Sequence, residues 1–244
     1  MENRSGKLKT LVKICGLRTV DDALRAVELG ADAVGFVVAP TSPRHIDFQM
    51  ALEIASHMLS HIHAHKTAHS SSTSANNPSL VNKSTPVLVI RSWSEVPWEQ
   101  LQHWPGSIQV YEAMGGPNRK RIFACSIDET HTLQDCPHEQ ITALLMDAPN
   151  AGAGAGDGWN WSRPSSSWTN QLPLILAGGL TPDNVAKAIS QTYPWAVDVS
   201  SGVESSRGVK DFTKVRDFIQ AARGAQSKLT ASVASASVTT FEQL

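Results

Sequence analysis

LVKICGLRTVDDALRAVELGADAVGFVV, residues Leu11–Val38, is the stretch that decides the fold. Apolar, β-branched runs at Leu11–Cys15 and Ala33–Val38 enclose a segment with helical punctuation. Thr19 reads as its N-cap, Asp22 as a first-turn acid and Gly30 as the C-terminal stop. Strands that are apolar at consecutive positions are buried on both faces, which is the condition of a parallel sheet covered by helices. The same kind of run recurs at Pro86–Ile90, Ser107–Tyr111, Arg121–Ser126, Ile141–Met146, Pro173–Ala177 and Trp195–Val199. Eight such strands with intervening helices is the number at which a parallel sheet closes, so the sequence predicts an α/β fold, a single (βα)8 TIM barrel over residues 11–223.

Helix signals support several of the connections. Thr181-Pro182 before DNVAKAIS supplies a cap and a proline for the first turn. Phe212, Val215, Phe218 and Ile219 form one apolar stripe on a last helix expected at Lys210–Arg223. The connections after strands four and five are weaker. EAMGGPNRK leaves little room for a helix, and residues 131–140 are polar and broken by Pro137.

Two stretches are too polar and too low in complexity to bury a core. The first, within SHMLSHIHAHKTAHSSSTSANNPSLVNKST, predicts a disordered insertion at about 66–85 between helix 2 and strand 3, and the second predicts a flexible tail over 224–244. These account for a length of 244 residues without a second domain.

Composition excludes several classes. A formal net charge of −1 gives no general attraction to phosphate backbones, so no nucleic-acid partner is expected. No apolar run approaches a membrane span and MENRSGKLKT lacks a signal-peptide core, so the expectation is a cytoplasmic protein with no membrane partner. Cys15, Cys125 and Cys136 show neither disulfide nor zinc spacing. His57, His61, His63, His65 and His69 cluster without acidic companions beside a low-complexity stretch, so no metal is expected.

Functional groups of a β/α barrel sit at the C-terminal ends of strands. Strand one ends in Cys15-Gly16, and a thiol there reads either as a small buried hydrophobe or as a reactive group. Strand six ends in Met146-Asp147, a carboxylate that can cap a loop or, when partly buried, serve as an acid. Arg44, in the stiff PTSPR loop after strand two, offers a guanidinium fork for a carboxylate. Glycine clusters follow strands six, seven and eight, at Gly154 and Gly156, at Gly178-Gly179 and at Ser201-Gly202. Amides exposed after strands seven and eight form a phosphate cradle, whereas the alanine-rich first cluster by itself reads as a flexible linker.

Together, VKICGL (12–17), DDALRAVELGADAVGFVVAPTSPRHI (21–46), LLMDA (144–148), PLILAGGLTPDNV (173–185) and AVDVSSGVESSRGVKD (196–211) resemble the phosphoribosylanthranilate isomerase family. The resemblance is dense over about 11–55 and 141–223 and weak between. It implies a cofactor-free isomerase of L-tryptophan biosynthesis. The implied reaction is an Amadori rearrangement of N-(5-phosphoribosyl)anthranilate to 1-(2-carboxyphenylamino)-1-deoxyribulose 5-phosphate. It further implies Asp147 as general acid, Cys15 as general base, Arg44 on the anthranilate carboxylate and Asp198 near the substrate nitrogen. The phosphate would lie against Gly154, Gly156, Gly178, Gly179, Ser201 and Gly202, and the protein would be a monomer or homodimer taking a small phosphorylated substrate.

The middle third departs from the family pattern. Gln109-Val110-Tyr111-Glu112 stands where members commonly have Gln-Leu-His-Gly, and Val89-Ile90-Arg91 where they have Phe-Val-Asn. Ala153-Gly154-Ala155-Gly156-Asp157 replaces a Gly-Gly-Thr-Gly-Lys/Arg loop, and Asp157 is unfavourable near a phosphate. Tyr111 and Arg91 are expected to rebuild part of the pocket. Two other readings compete with the isomerase. One is another sugar-phosphate isomerase, such as one that also acts in the histidine pathway, against which Cys15 argues because such enzymes place an aspartate there. The other is a non-catalytic phosphate-ligand binding barrel, which would need neither proton-transfer group.

Overall fold

A computed structural model describes residues 10–70, 83–112, 115–116, 118–126, 140–147 and 172–229. Eight parallel strands close into a barrel in sequence order: β1 (Leu11–Cys15), β2 (Ala33–Val37), β3 (Thr85–Ile90), β4 (Ser107–Val110), β5 (Arg121–Ser126), β6 (Ile141–Asp147), β7 (Leu174–Leu176) and β8 (Ala196–Val199). Every strand lies within a residue or two of its expected place. The closing seam pairs Leu11 with Ala196 and Lys13 with Asp198.

The two-residue side-chain period divides each strand between two cores. Ala33, Val87, Ile122, Leu145, Ile175 and Ala196 fill the barrel axis. Their neighbours Val34, Leu88, Ile108 and Val197 point outward to meet the helices. Helix α1 (Val20–Glu28) starts as the sequence predicts, with the Thr19 hydroxyl accepting the Asp22 N–H at 3.1 Å, and Gly30 follows its end at φ +99°. Helix α2 (Phe48–Ser70) inserts Ala51, Ile54 and Met58 into the outer core and extends into the low-complexity stretch. The rest of that stretch, 71–82, lies outside the described residues.

Beyond β3 the helical layer thins. A 3₁₀ turn at Trp93–Glu95 and the one-turn helix α3 (Trp98–Leu101) follow β3, and the described residues between β4 and β5 form no helix, in keeping with the short EAMGGPNRK connection. Arg119 stitches this side together, donating to the carbonyls of Leu101, Trp104 and Gly106 at 2.8–2.9 Å. Residues 127–139 and 148–171 fall outside the described set.

Two helix boundaries near the C-terminus differ from expectation. Helix α4 begins at Val185, because Asn184 spends its side chain on the preceding loop: Oδ1 accepts from Thr181 N–H at 2.8 Å and Nδ2 donates to Gly179 O at 2.9 Å. Thr181 therefore belongs to the turn before the helix. Lys210, expected to open the last helix, instead lies in β10 (Val209–Lys210), which pairs antiparallel with β9 (Glu204–Ser206). Helix α5 then runs Phe212–Leu229, six residues beyond Arg223, and buries Val215, Phe218 and Ile219 as the stripe predicts. Residues 230–244, the rest of the expected tail, are not among the described residues.

Arg223 of α5 closes the lower end of the barrel. It donates to Thr10 O at 2.6 Å and Gly30 O at 3.1 Å and pairs with Asp32, whose carboxylate also accepts the Val12 N–H at 2.8 Å. Replacing Arg223 by Leu strands these acceptors and should lower unfolding stability by about 2 kcal/mol, because hydrogen bonds to a charged group are the stronger kind. A urea midpoint equal to wild type would contradict that role.

Candidate active site

The site lies at the C-terminal ends of the strands. There a cavity of about 500 Å³ opens, walled by Cys15, Arg44, Asp147, Gly178, Gly179 and Asp198, with Ser201 and Gly202 on its rim. Of the residues expected from sequence, only Gly154 and Gly156 are absent from this wall, since both lie outside the described residues.

Side-chain parity brings these groups together. Lys13 and Cys15 both face the axis from β1, one layer apart. Lys13 is completely buried, and its ammonium donates to Asp198 Oδ1 at 2.9 Å and to Gln109 Oε1 at 3.0 Å. Burial works to lower the Lys13 pKa, but Asp198 and the neighbouring Cys15 outweigh it, and the net shift is upward. Lys13 therefore stays charged beneath the thiol. Sequence inspection passed over this lysine, although a lone cation two residues before Cys15 in an apolar strand was the available signal.

Cys15 itself is buried, and burial pushes its thiol pKa up. Lys13 and Lys210 pull it down, Asp198 adds to the rise, and the net direction is upward. A general base at Cys15 would need access to its thiolate. Here the neutral thiol is favoured instead, because desolvation of the anion outweighs the nearby ammonium groups. Space for the sulfur is provided by Gly35 on β2, where an added Cβ would sit 2.7 Å from Sγ.

Arg44 enters the cavity with much of its hydrogen-bonding edge in use. Nε and Nη2 donate to the two oxygens of Glu204 at 2.6 and 2.9 Å, a bidentate pair that leaves Nη1 without a hydrogen-bond partner among the described residues. Lys210 reaches the same carboxylate at 2.9 Å and also Ser200 O at 2.9 Å, and Gly208 N–H adds a bond at 3.1 Å. Burial alone would raise the Glu204 pKa; the Arg44 fork, Lys210 and the Gly208 amide override it and hold the carboxyl down at about 2. Glu204 and Lys210 were not picked out from sequence because Glu204 sits in a polar stretch after strand eight and Lys210 was expected to open the last helix, with nothing to show that both would fold inward.

Asp147 ends β6, and the Tyr111 hydroxyl approaches its Oδ2 at a long 3.5 Å. Desolvation and, after it, the Asp147 charge drive the Tyr111 phenol well above its ordinary range, so Tyr111 acts as a neutral donor. Beyond the neighbouring strand β7, Gly178 and Gly179 adopt φ +82° and +62°, a region open to glycine, and an added Cβ on Gly202 would sit 1.8 Å from Leu180 O. The β7 and β8 loops thus meet backbone to backbone. Among the described residues, no group of three or more His, Cys, Asp or Glu side chains is placed to hold a metal ion.

Comparison with known proteins fits this arrangement. Residues 109–221 match the family model described as N-(5′-phosphoribosyl)anthranilate (PRA) isomerase. A relative of that name from Geotalea uraniireducens is 37% identical over 217 residues, covering 88% of this chain and 99% of the relative. The chain belongs to the phosphoribosylanthranilate isomerase family. The family member of solved structure from Thermotoga maritima superposes with a TM-score of 0.66 at 29% identity, over 88% of this chain and 99% of that one. A phosphoribosylanthranilate isomerase solved with reduced 1-(o-carboxyphenylamino)-1-deoxyribulose 5-phosphate gives a TM-score of 0.63 at 28% identity, with the same coverage.

Two measurements test this site. Glu204 has a folded-state pKa below its ordinary value of 4.5, so its pairing adds stability above that pH and the contribution drains away as pH falls towards 2. Urea midpoints should fall across this window for the wild type and much less for Glu204→Gln, which should already be weakened by about 3 kcal/mol at pH 7. Parallel acid sensitivity in the two proteins would remove Glu204 as the cause. Gly202→Ala should push the β8 loop off the β7 loop and raise KM for a phosphorylated substrate about tenfold or more. An unchanged KM would show that the close approach is unimportant for binding.

Proposed function

We propose that the protein converts N-(5-phosphoribosyl)anthranilate to 1-(2-carboxyphenylamino)-1-deoxyribulose 5-phosphate in L-tryptophan biosynthesis, with Cys15 and Asp147 as its proton-transfer pair. The observation that carries this reading is the convergence of that pair, Asp198 and the β7–β8 glycine loops on one cavity in a member of this family. The substrate phosphate lies against Gly178, Gly179, Ser201 and Gly202.

Protonated Asp147 gives its proton to the ribose ring oxygen while the amine lone pair expels that oxygen from C1′. The C1′–O bond breaks and an iminium forms. Asp198, held by Lys13 through one carboxylate oxygen, lies near this nitrogen and offsets the new positive charge. The iminium acidifies the C2′ proton and, by its charge, lowers the pKa of a nearby thiol, which counters the effect of burial on Cys15. Cys15 then removes the C2′ proton, the released electrons neutralise the iminium, and the enolamine tautomerises to the ketone with a proton delivered to C1′. No cofactor is required, because oxidation at C2′ and reduction at C1′ balance within one molecule. Nη1 of Arg44 is available to the anthranilate carboxylate.

The site is built from one chain, so either a monomer or a homodimer suffices. No described helix is long and apolar enough to cross a membrane, and we place the enzyme in the cytoplasm.

Turnover is tested by generating the substrate in situ and following loss of its fluorescence. Disappearance no faster than spontaneous hydrolysis would favour a non-catalytic binding barrel. Cys15→Ala and Asp147→Asn should each lower turnover by about two or more orders of magnitude while leaving the melting temperature near wild type. Near-normal turnover in either would remove this pair from the mechanism. In Asp147→Asn, where no carboxyl has to carry a proton, a base acts only when deprotonated and the Cys15 pKa lies above its ordinary 9.0, so residual kcat/KM should still be rising at pH 9. A plateau reached by pH 7 would show that the base is not this thiol.

A further inference from the structure

Arg91 has no assigned task in the chemistry above, yet it lines the reaction cavity. It follows β3 directly and continues the inward parity of Val87 and Val89. Val89 pairs with Gln109 and Ile90 with Val110, so the next residues of the two strands, Arg91 and Tyr111, emerge side by side at the mouth. The Arg91 backbone N–H is tied to Glu95 Oε2 at 2.8 Å, which fixes the direction in which the chain leaves the strand. Its side chain has no ion pair or hydrogen bond among the described residues.

The other cations near the reacting groups are differently placed. Lys13 is taken by Asp198 and Gln109, Lys210 by Glu204 and Ser200, and two of the three nitrogens of Arg44 by Glu204. Arg207 also borders the cavity, but it sits in the turn between β9 and β10, where its neighbour Gly208 packs against Pro43 on the β2 loop.

Position in the closed sheet matters as much as charge. β3 and β4 lie four strands away from β7 and β8, directly across the mouth from the glycine loops. On the proposed isomerase reading, on which this inference rests, the substrate carries one anion at each end. A phosphate seated at β7–β8 directs the aromatic carboxylate towards β3–β4. That carboxylate also enters a mouth that already contains the Asp198 carboxylate, and a further unneutralised negative charge there is unfavourable. We infer that Arg91 is a specificity-determining residue that grips the aromatic carboxylate of the substrate with its planar fork, beside the ring of Tyr111. It acts as a second guanidinium, on the strand next to the one whose loop carries the largely engaged Arg44.

The test uses the full-length enzyme and two inhibitors, reduced 1-(2-carboxyphenylamino)-1-deoxyribulose 5-phosphate and its phenylamino counterpart without the carboxyl group. Titration calorimetry should show that the wild type prefers the carboxylated compound by about tenfold or more, as expected for a charge-assisted bidentate contact. Arg91→Ala should reduce that preference to about twofold or less and leave the phenylamino compound bound as before, and Arg91→Lys should restore part of it. In turnover, Arg91→Ala should raise KM about tenfold with kcat within about threefold of wild type. A carboxylate preference that survives Arg91→Ala, or that disappears only in Arg207→Ala, would overturn the assignment. Failure of the isomerase reading would look different: a wild type without turnover that still loses its carboxylate preference in Arg91→Ala keeps the Arg91 contact and discards the reaction.

Discussion

A lysine ammonium buried on the axis of a closed barrel has given up bulk solvent, and the upper half of this molecule is organised around that fact. Lys13 must be met by fixed protein groups, and the seam register that pairs it with Asp198 brings β8 into line with β1. Gln109 extends the contact to β4 on the far wall. The arrangement ties three strands at the level immediately below the reacting atoms. It also supplies Cys15 with a permanent positive charge and leaves the second oxygen of Asp198 for the cavity. Stability and chemistry share the same ion pair, so neither partner is replaceable without consequences for both.

A second ionic knot lies one layer higher. Glu204 receives Arg44 from the β2 loop, Lys210 from β10 and an amide from the turn between β9 and β10. Loops from distant parts of the chain are thereby fixed to one carboxylate. Such pairing holds the Arg44 side chain in one orientation before any ligand arrives, and that reduces the entropy lost on binding.

The strand-level pattern was readable because burial on both faces leaves an unambiguous apolar signature, and the eight strands lie where that signature places them. Cys15 and Asp147 stood out because strand-end positions are few and each carries a chemically distinctive side chain, and Arg44 stood out in its stiff loop, whereas Asp198, inside β8, was named only through the family resemblance. Lys13 was hidden by its apolar neighbours, which make the strand look purely structural. Glu204 and Lys210 were hidden for the opposite reason, since a run of Ser, Glu, Arg and Lys looks solvated until a hairpin turns two of its charges inward. Helix ends were read less well than strands. Asn184 shows why: a side chain that can cap a helix can equally brace the loop before it, and only the fold decides between them.

The ring of loops around the cavity is not uniform in its internal commitments. On the arc from β8 through β1 to β2, charged side chains are largely engaged with one another, whereas at β3 and β4 Arg91 and Tyr111 face the opening with few obligations to the rest of the protein. Change at the first arc disturbs a network, and change at the second costs the scaffold little. The two described strand ends that depart from the family pattern both lie on that second arc. The barrel therefore has a wall where its ligand preferences can be rewritten, by drift or by design, without first re-engineering what keeps it folded.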